Sequence, residues 1–132
     1  MQTEMVKAAL IRGYACEAVG EVVRNVMNAD VPAGGSMFLI GLFSDTELLL
    51  GVPVVEILQD INVTDTVSAA ILDREGPGGT ILAAVEAYVD ADWGRAKSEL
   101  GRLEVDLSAL FQIYMDAITW ASERMAFHTM DD

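Results

Sequence analysis

The chain has 132 residues, of which 52% are apolar and 21 are acidic against 8 Lys and Arg, so its formal net charge is −13. This length and composition predict one globular domain with a sizeable core and exclude a disordered or fibrous polymer. The acidic excess disfavours nucleic acid and anionic membranes as partners, because binding to phosphate groups requires positive charge.

Apolar residues recur at helical intervals along most of the chain, and in the first stretch charged residues such as Arg12 lie between them. A strand-like alternation is confined to short ambiguous runs such as residues 51–55. We therefore predict an all-α bundle of about seven helices, forming a single domain over residues 1–132 with a loose tail at residues 128–132. In chain order, the predicted helices cover residues 3–27, 36–50, 53–61, 64–74, 81–89, 92–103 and 106 to about 127.

Cap and breaker residues set these boundaries. Glycine and proline interrupt the helical pattern in residues 28–35 and again in residues 75–79, where a firm break is expected. Gly51 is predicted to end the second helix, and Pro53 suits the first turn of the third. Four residues with short polar side chains are predicted to cap helix N-termini: Ser36, Thr64, Asp92 and Asp106.

The residues that bind transition metals are scarce. A zinc, iron or manganese site needs several converging ligands, and the chain has one histidine, His128, and one cysteine, Cys16. His128 falls in the predicted tail, and Cys16 is predicted to be a small core residue. Ser44 and Ser108 have no histidine placed to activate them. We predict no metal, no cofactor and no catalytic residue, although a carboxylate pair for acid–base chemistry stays open.

A glycine-rich stretch reads GPGGT at residues 76–80 and opens a helical pattern. Free N–H groups at a helix start attract anions, so a phosphate site is one interpretation. The lysine of a P-loop is missing and no strand precedes the stretch, which favours a plain turn.

The predicted location is the cytoplasm. The chain begins without a basic region followed by an apolar run, so no signal peptide is expected. The longest apolar stretches, residues 37–43 and 48–55, are far shorter than the roughly 20 residues that a membrane span needs.

Five segments follow one another along most of residues 5–120, and they are RGYACE (12–17), MFLIGLFSD (37–45), LLLGVP (48–53), AILDREGPGG (70–79) and EAYVDADW (86–93). In this order and spacing they resemble the later part of an HDOD domain, of the subtype attached to EAL-type cyclic di-GMP phosphodiesterase domains in bacterial signalling proteins. HDOD domains are relatives of the HD phosphohydrolases, so the resemblance implies an HD-domain-like helical fold and a signalling role, commonly without hydrolysis.

The resemblance places Ser44 and Asp45 at the two positions of the metal-binding His-Asp doublet. A serine hydroxyl lacks the donor strength of imidazole, and an aspartate alone does not make a metal site. The doublet is therefore degenerate, and Asp45 is expected to face solvent or to cap local backbone groups.

Together these features predict a non-catalytic regulatory module that acts through protein contacts in a cyclic di-GMP signalling protein. The expected partners are an adjoining EAL-type domain or a second copy. The helices that precede Thr3 in a complete HDOD domain are expected to be missing, and their loss would expose an apolar face, consistent with the mean hydropathy of +0.34. Two alternatives stay open: an HD-type phosphohydrolase completed by a missing segment or partner chain, and a small-ligand sensor with a pocket between helices.

Overall fold

The structure, a computed structural model, describes residues 3–27, 30–45 and 50–131, with side chains up to residue 126. Seven helices and no strand are present in the described part of the chain, which confirms the predicted all-α bundle. The helices are α1 (Thr3–Met27), α2 (Gly34–Phe43), α3 (Val54–Ile61), α4 (Asp65–Asp73), α5 (Gly76–Val89), α6 (Trp93–Gly101) and α7 (Leu107–Asp131).

Three of the four predicted N-caps are present. The Oγ1 of Thr64 accepts a hydrogen bond from the backbone N–H of Val67 at 3.3 Å. The Oδ1 of Asp92 accepts one from the backbone N–H of Arg95 at 3.2 Å. The Oδ1 of Asp106 accepts one from the backbone N–H of Ser108, the second residue of α7, at 3.4 Å. Each cap pairs a donor that the helix cannot satisfy, and therefore fixes where α4, α6 and α7 begin.

Helix α2 departs from the prediction at both ends. It begins at Gly34 with Ala33 at the N-cap position, so the predicted cap at Ser36 is wrong. It ends at Phe43 and not near Leu50. Side chains of Arg12 and Ser44 bond the Gly41 carbonyl, one of the four that the end of the helix leaves without a helical partner. Residues 46–49, over which the predicted helix continued, lie outside the described residues.

Two other predicted boundaries shift. Helix α5 begins at Gly76, inside the predicted break, so the plain turn predicted for residues 76–80 is wrong and these residues form a first helical turn. Pro77 is compatible with that turn, because the N–H that it lacks would have no helical partner there. Helix α7 extends to Asp131, past residue 128 where the loose tail was predicted to begin; the side chain of His128 lies outside the described residues.

Helices α1 and α5 form the centre of the bundle. Helix α1 packs against α2, α5 and α7, and α5 also packs against α4 and α6. Cys16 is fully buried among these helices, which confirms its prediction as a core residue. Burial of each large apolar side chain contributes about 1.5–3 kcal/mol. The largest fully buried apolar side chains are Val19, Val23, Met37, Ile40, Ile81, Leu82, Val85, Leu100 and Leu110.

Glycines let α1 and α2 cross at close range. A Cβ atom on Gly41 would lie 2.4 Å from the carbonyl oxygen of Arg12, and one on Gly13 would lie 3.0 Å from the ring of Phe38. The distance at Gly41 is to backbone and is too short for any side chain, so this position requires glycine, whereas a side chain at Gly13 would require the Phe38 ring to shift. The crossing brings the last turn of α2, with Ser44 and Asp45 just beyond it, directly over Arg12.

None of the described helices combines the length and apolar character that a membrane crossing requires. The cytoplasmic location stays a prediction.

Candidate functional site

Arg12 is buried, although its charge suggested a place on the polar face of α1. Its residue exposure is 7%, and among the described residues it is the one charged residue that is buried in the core. Burying a guanidinium is costly unless hydrogen-bond acceptors replace the lost water. The end of α2 supplies those acceptors.

Three groups at the end of α2 surround the Arg12 guanidinium. Its Nε donates to the carbonyl oxygen of Gly41 at 3.3 Å and to the Oγ of Ser44 at 3.2 Å. Its Nη1 lies 3.7 Å from the Oδ2 of Asp45. Ser44 completes the network by donating its own hydroxyl proton to the Gly41 carbonyl at 3.1 Å. We call these four residues the Arg12 cluster.

The Arg12 cluster places a fixed cation where the resemblance puts a metal-binding doublet. The Asp45 side chain is 48% exposed, and its carboxylate already has the guanidinium as its positive partner. A divalent cation at Asp45 would be repelled by that neighbouring positive charge. The serine hydroxyl is a weak metal ligand, so the residues present do not fit the metal of an HD phosphohydrolase.

Ser44 is also poorly placed to act as a nucleophile. Its proton is donated to a carbonyl oxygen, and its oxygen accepts from a cationic N–H, which withdraws electron density. A serine nucleophile needs an adjacent general base, and an arginine remains protonated in proteins. Across the described residues, no group of three or more His, Cys, Asp or Glu side chains could hold a metal ion together.

The thiol of Cys16, one turn beyond Arg12 on α1, is held in its unreactive protonated form. Burial, with a smaller contribution from the Glu86 carboxylate, raises the pKa of its thiol from 9.0 to about 12. The nearby guanidinium groups of Arg12 and Arg74 oppose this shift and do not reverse it. The thiol is protonated at neutral pH, and a protonated thiol is a poor nucleophile.

A second arginine, Arg74, joins α4 to α5. It ends α4 in the left-handed conformation with φ of 56°, and its Nε and Nη2 each donate to one carboxylate oxygen of Glu86 at 2.7 Å. A third donor, Nη1, bonds the carbonyl of Ile71. A Cβ on Gly79 would lie 2.1 Å from the Arg74 carbonyl carbon, so the glycine-rich stretch serves close packing at this junction.

A cavity of about 440 Å³ lies beside this junction. It adjoins the glycine-rich stretch, where a phosphate site was one interpretation of the sequence. Arg74 and Arg102 line it, together with residues at the start of α5. Both arginines already have carboxylate partners, Glu86 and Glu99 respectively. The cavity has a mixed lining of charged and apolar residues and is large enough for a small ligand.

Sequence reasoning found Ser44 and Asp45 but missed their partner. Arg12 lies among the charged residues between the apolar positions of the first predicted helix, a pattern typical of an exposed side chain. A signal was present, because Arg12 lies three or four residues from Ala9, Ala15 and Cys16, which all prove to be buried. A charged residue at the centre of a buried stripe indicates a paired interior charge.

No protein-family model matches the chain, and no solved structure matches it. The chain is 33% identical over 86 residues to the cyclic di-GMP phosphodiesterase CdgJ of Vibrio cholerae, an alignment that covers 65% of this chain and 20% of that protein. It is 29% identical over 122 residues to the uncharacterized protein YuxH of Bacillus subtilis, covering 92% of this chain and 28% of that protein. The chain therefore spans less than a third of either relative, and it shares ancestry with one part of each.

Proposed function

We propose that the chain is a non-catalytic helical regulatory module of HDOD type, which acts through protein contacts in a cyclic di-GMP signalling protein. The Arg12 cluster is the observation that carries the proposal. A site in which a buried guanidinium lies next to the position that the resemblance assigns to a metal ion is suited to stabilising the fold and not to hydrolysis.

The link to cyclic di-GMP rests on similarity. CdgJ bears the name of a cyclic di-GMP phosphodiesterase, and the chain aligns with only a fifth of it. An alignment of this extent fits a domain that accompanies a catalytic domain in the same protein. On this proposal an adjoining EAL-type domain supplies the chemistry, and the helical module regulates it or transmits a signal to it.

Metal analysis combined with a nucleotide-hydrolysis screen tests the proposal. The purified chain, incubated with Mn²⁺, Fe²⁺ or Mg²⁺, is expected to retain no stoichiometric metal and to hydrolyse neither cyclic dinucleotides nor nucleoside triphosphates. Asp45→Asn provides the control, because a metal-dependent activity of this site would fall when its carboxylate is removed. Stoichiometric metal with turnover that Asp45→Asn abolishes would establish the phosphohydrolase alternative.

Small-ligand sensing is a second candidate function, and the cavity beside Arg74 and Arg102 is the observation that favours it. A ligand that binds only the folded state raises thermal stability, by an amount that grows with the logarithm of its concentration above the Kd. A metabolite panel should then contain a compound that raises the melting temperature of the wild type and not of Arg102→Gln. The absence of any such shift would leave the protein-contact function as the stronger proposal.

A further inference from the structure

An apolar groove opens between the C-terminus of α5 and the N-termini of α6 and α7. Its volume is about 380 Å³, and aromatic side chains dominate its lining. Tyr88 forms the floor, with its ring centroid 5.0 Å from those of both Trp93 and Tyr114. We call this surface the aromatic groove, and its lining residues are Tyr88, Trp93, Leu107, Ser108 and Phe111.

Large apolar side chains at the groove are exposed to solvent. Trp93 is 51% exposed and Phe111 is 56% exposed. Val89 ends α5 beside the groove, and Met115 follows Phe111 by one turn on the same face of α7. An exposed, concave cluster of aromatic and methionine side chains is typical of a protein contact surface.

The charges around the aromatic groove are mainly negative. Three exposed aspartates lie at the helix ends that bound the groove: Asp90 follows Val89 at the end of α5, Asp92 precedes Trp93 and Asp106 precedes Leu107. A fourth, Asp116, lies farther along α7, after Met115. On the basic side, α6 carries the exposed Arg95 and Lys97 within one turn of Trp93, and they are fewer than the four aspartates. The groove therefore combines an apolar centre with an acidic rim.

The apolar centre and acidic rim of the groove favour some binding partners over others. A second copy of the chain would bring its own net charge of −13 against the rim and be repelled. An anionic membrane surface would be repelled in the same way. A basic segment would be attracted by the rim while its apolar side chains enter the groove.

We infer that the aromatic groove binds a basic amphipathic segment of a partner protein, with Phe111 and Trp93 as its main contacts. This inference rests on the proposed function, because it names the surface through which a regulatory module would make its protein contact.

A fluorescence titration of Trp93 and Trp120 with defined peptides tests the inference. The probe is an 18-residue peptide of leucine and lysine arranged with one apolar helical face. Two further peptides separate the contributions: one has the same composition in an order without an apolar face, and the other carries glutamate at every lysine position. Only the amphipathic basic peptide is expected to bind tightly, and its affinity should fall as salt rises.

Two variants locate the binding site. Phe111→Ser is expected to weaken binding of the amphipathic basic peptide about tenfold, as for an aromatic contact at the centre of an interface. Val26→Ser is the matched control, because Val26 is also 56% exposed but lies at the end of α1. Both positions are on the surface, so circular dichroism should show that both variants fold.

Each other result overturns the inference. Equal binding of the reordered peptide would mean that charge alone attracts it, and equal loss in the two variants would place the contact elsewhere. A dimer of the chain that Phe111→Ser dissociates would make a second copy the occupant. If the peptide does not bind and the chain shows no metal-dependent turnover, the inference about the groove fails and the proposed function stands. If the chain shows metal-dependent turnover that Asp45→Asn abolishes, the proposed function fails, whether or not the peptide binds.

Discussion

The Nε of Arg12 lies 3.2 Å from the Oγ of Ser44, so a buried guanidinium contacts the residue that stands where the resemblance places a metal-binding histidine. The contact joins residues 32 positions apart and ties α1 to the end of α2. The same guanidinium pairs with Asp45, the other position of the doublet. The position that the resemblance assigns to a metal cation is therefore next to a cation that belongs to the chain.

Arg12→Ala should lower the free energy of unfolding by about 2 kcal/mol, because it removes the hydrogen bonds to α2 and leaves a cavity. Arg12→Met should stay within about 1 kcal/mol of the wild type, since it refills the volume and leaves Ser44 bonded to the Gly41 carbonyl. Urea denaturation of the two variants measures the difference. Equal stability of Arg12→Ala and wild type would mean that the Arg12 cluster contributes nothing to the fold.

Gly41→Ala should destabilise the protein by at least about 2 kcal/mol, because its Cβ would lie 2.4 Å from the Arg12 carbonyl oxygen and would force α1 and α2 apart. Gly35→Ala in the same helix meets no atom within 4 Å and should instead stabilise by about 0.5–1 kcal/mol. Thermal unfolding of both variants tests the crossing. A similar melting temperature for the two would contradict the close approach of the helices.

The stability of the protein should fall above about pH 9 through Cys16. Its pKa rises from 9.0 in an exposed thiol to about 12 in the fold, so between these values the unfolded chain loses a proton that the folded chain keeps. Deprotonation favours the unfolded state, and the slope contributed by this residue is at most about 1.4 kcal/mol per pH unit.

Cys16→Ala isolates this contribution from that of the lysines and tyrosines, which it leaves in place. Denaturation measured at pH 8, 9 and 10 should show a shallower decline for the variant than for the wild type. Parallel declines would show that Cys16 does not titrate differently in the two states. A thiol reagent at pH 8 should modify the wild type only after denaturant is added.

Glu86→Gln should cost about 1 kcal/mol, because it breaks a bidentate pair with Arg74 whose two side chains are 32% and 20% exposed. It should also lower the pKa of Cys16, since the Glu86 carboxylate raises it. Glu99→Gln is the control: its partner Arg102 is 67% exposed, so the loss should be under about 0.5 kcal/mol with no change at Cys16. Identical effects of the two substitutions on stability and on thiol titration would contradict this assignment.

The sequence predicted the helices better than it predicted their ends. The bounds of α1 and the caps at Thr64, Asp92 and Asp106 follow from local patterns, because periodicity and capping act over a few residues. The predicted end of α2 was wrong, and the Arg12 side chain that bonds the Gly41 carbonyl there comes from 29 positions away, a contact that local patterns do not reveal.

The candidate site was likewise predicted only in part, because some of its features depend on contacts between distant residues. Ser44 and Asp45 were found through the resemblance, and the absence of a histidine at the first position was visible in the chain. The burial of Arg12 depends on how α1 and α2 cross, and the exposure of Trp93 and Phe111 depends on which neighbours α6 and α7 receive. Helical spacing identifies an apolar face but does not show what covers it.

Hydrogen exchange at the Nε–H of Arg12, followed by ¹⁵N NMR, tests the central claim most directly. If this guanidinium is buried against Gly41 and Ser44, its Nε–H should exchange at least about tenfold more slowly than that of the exposed Arg95, and its resonance should shift in Ser44→Ala. An exchange rate equal to that of Arg95, with no shift in Ser44→Ala, would place the guanidinium in solvent and leave the doublet position open to a metal ion.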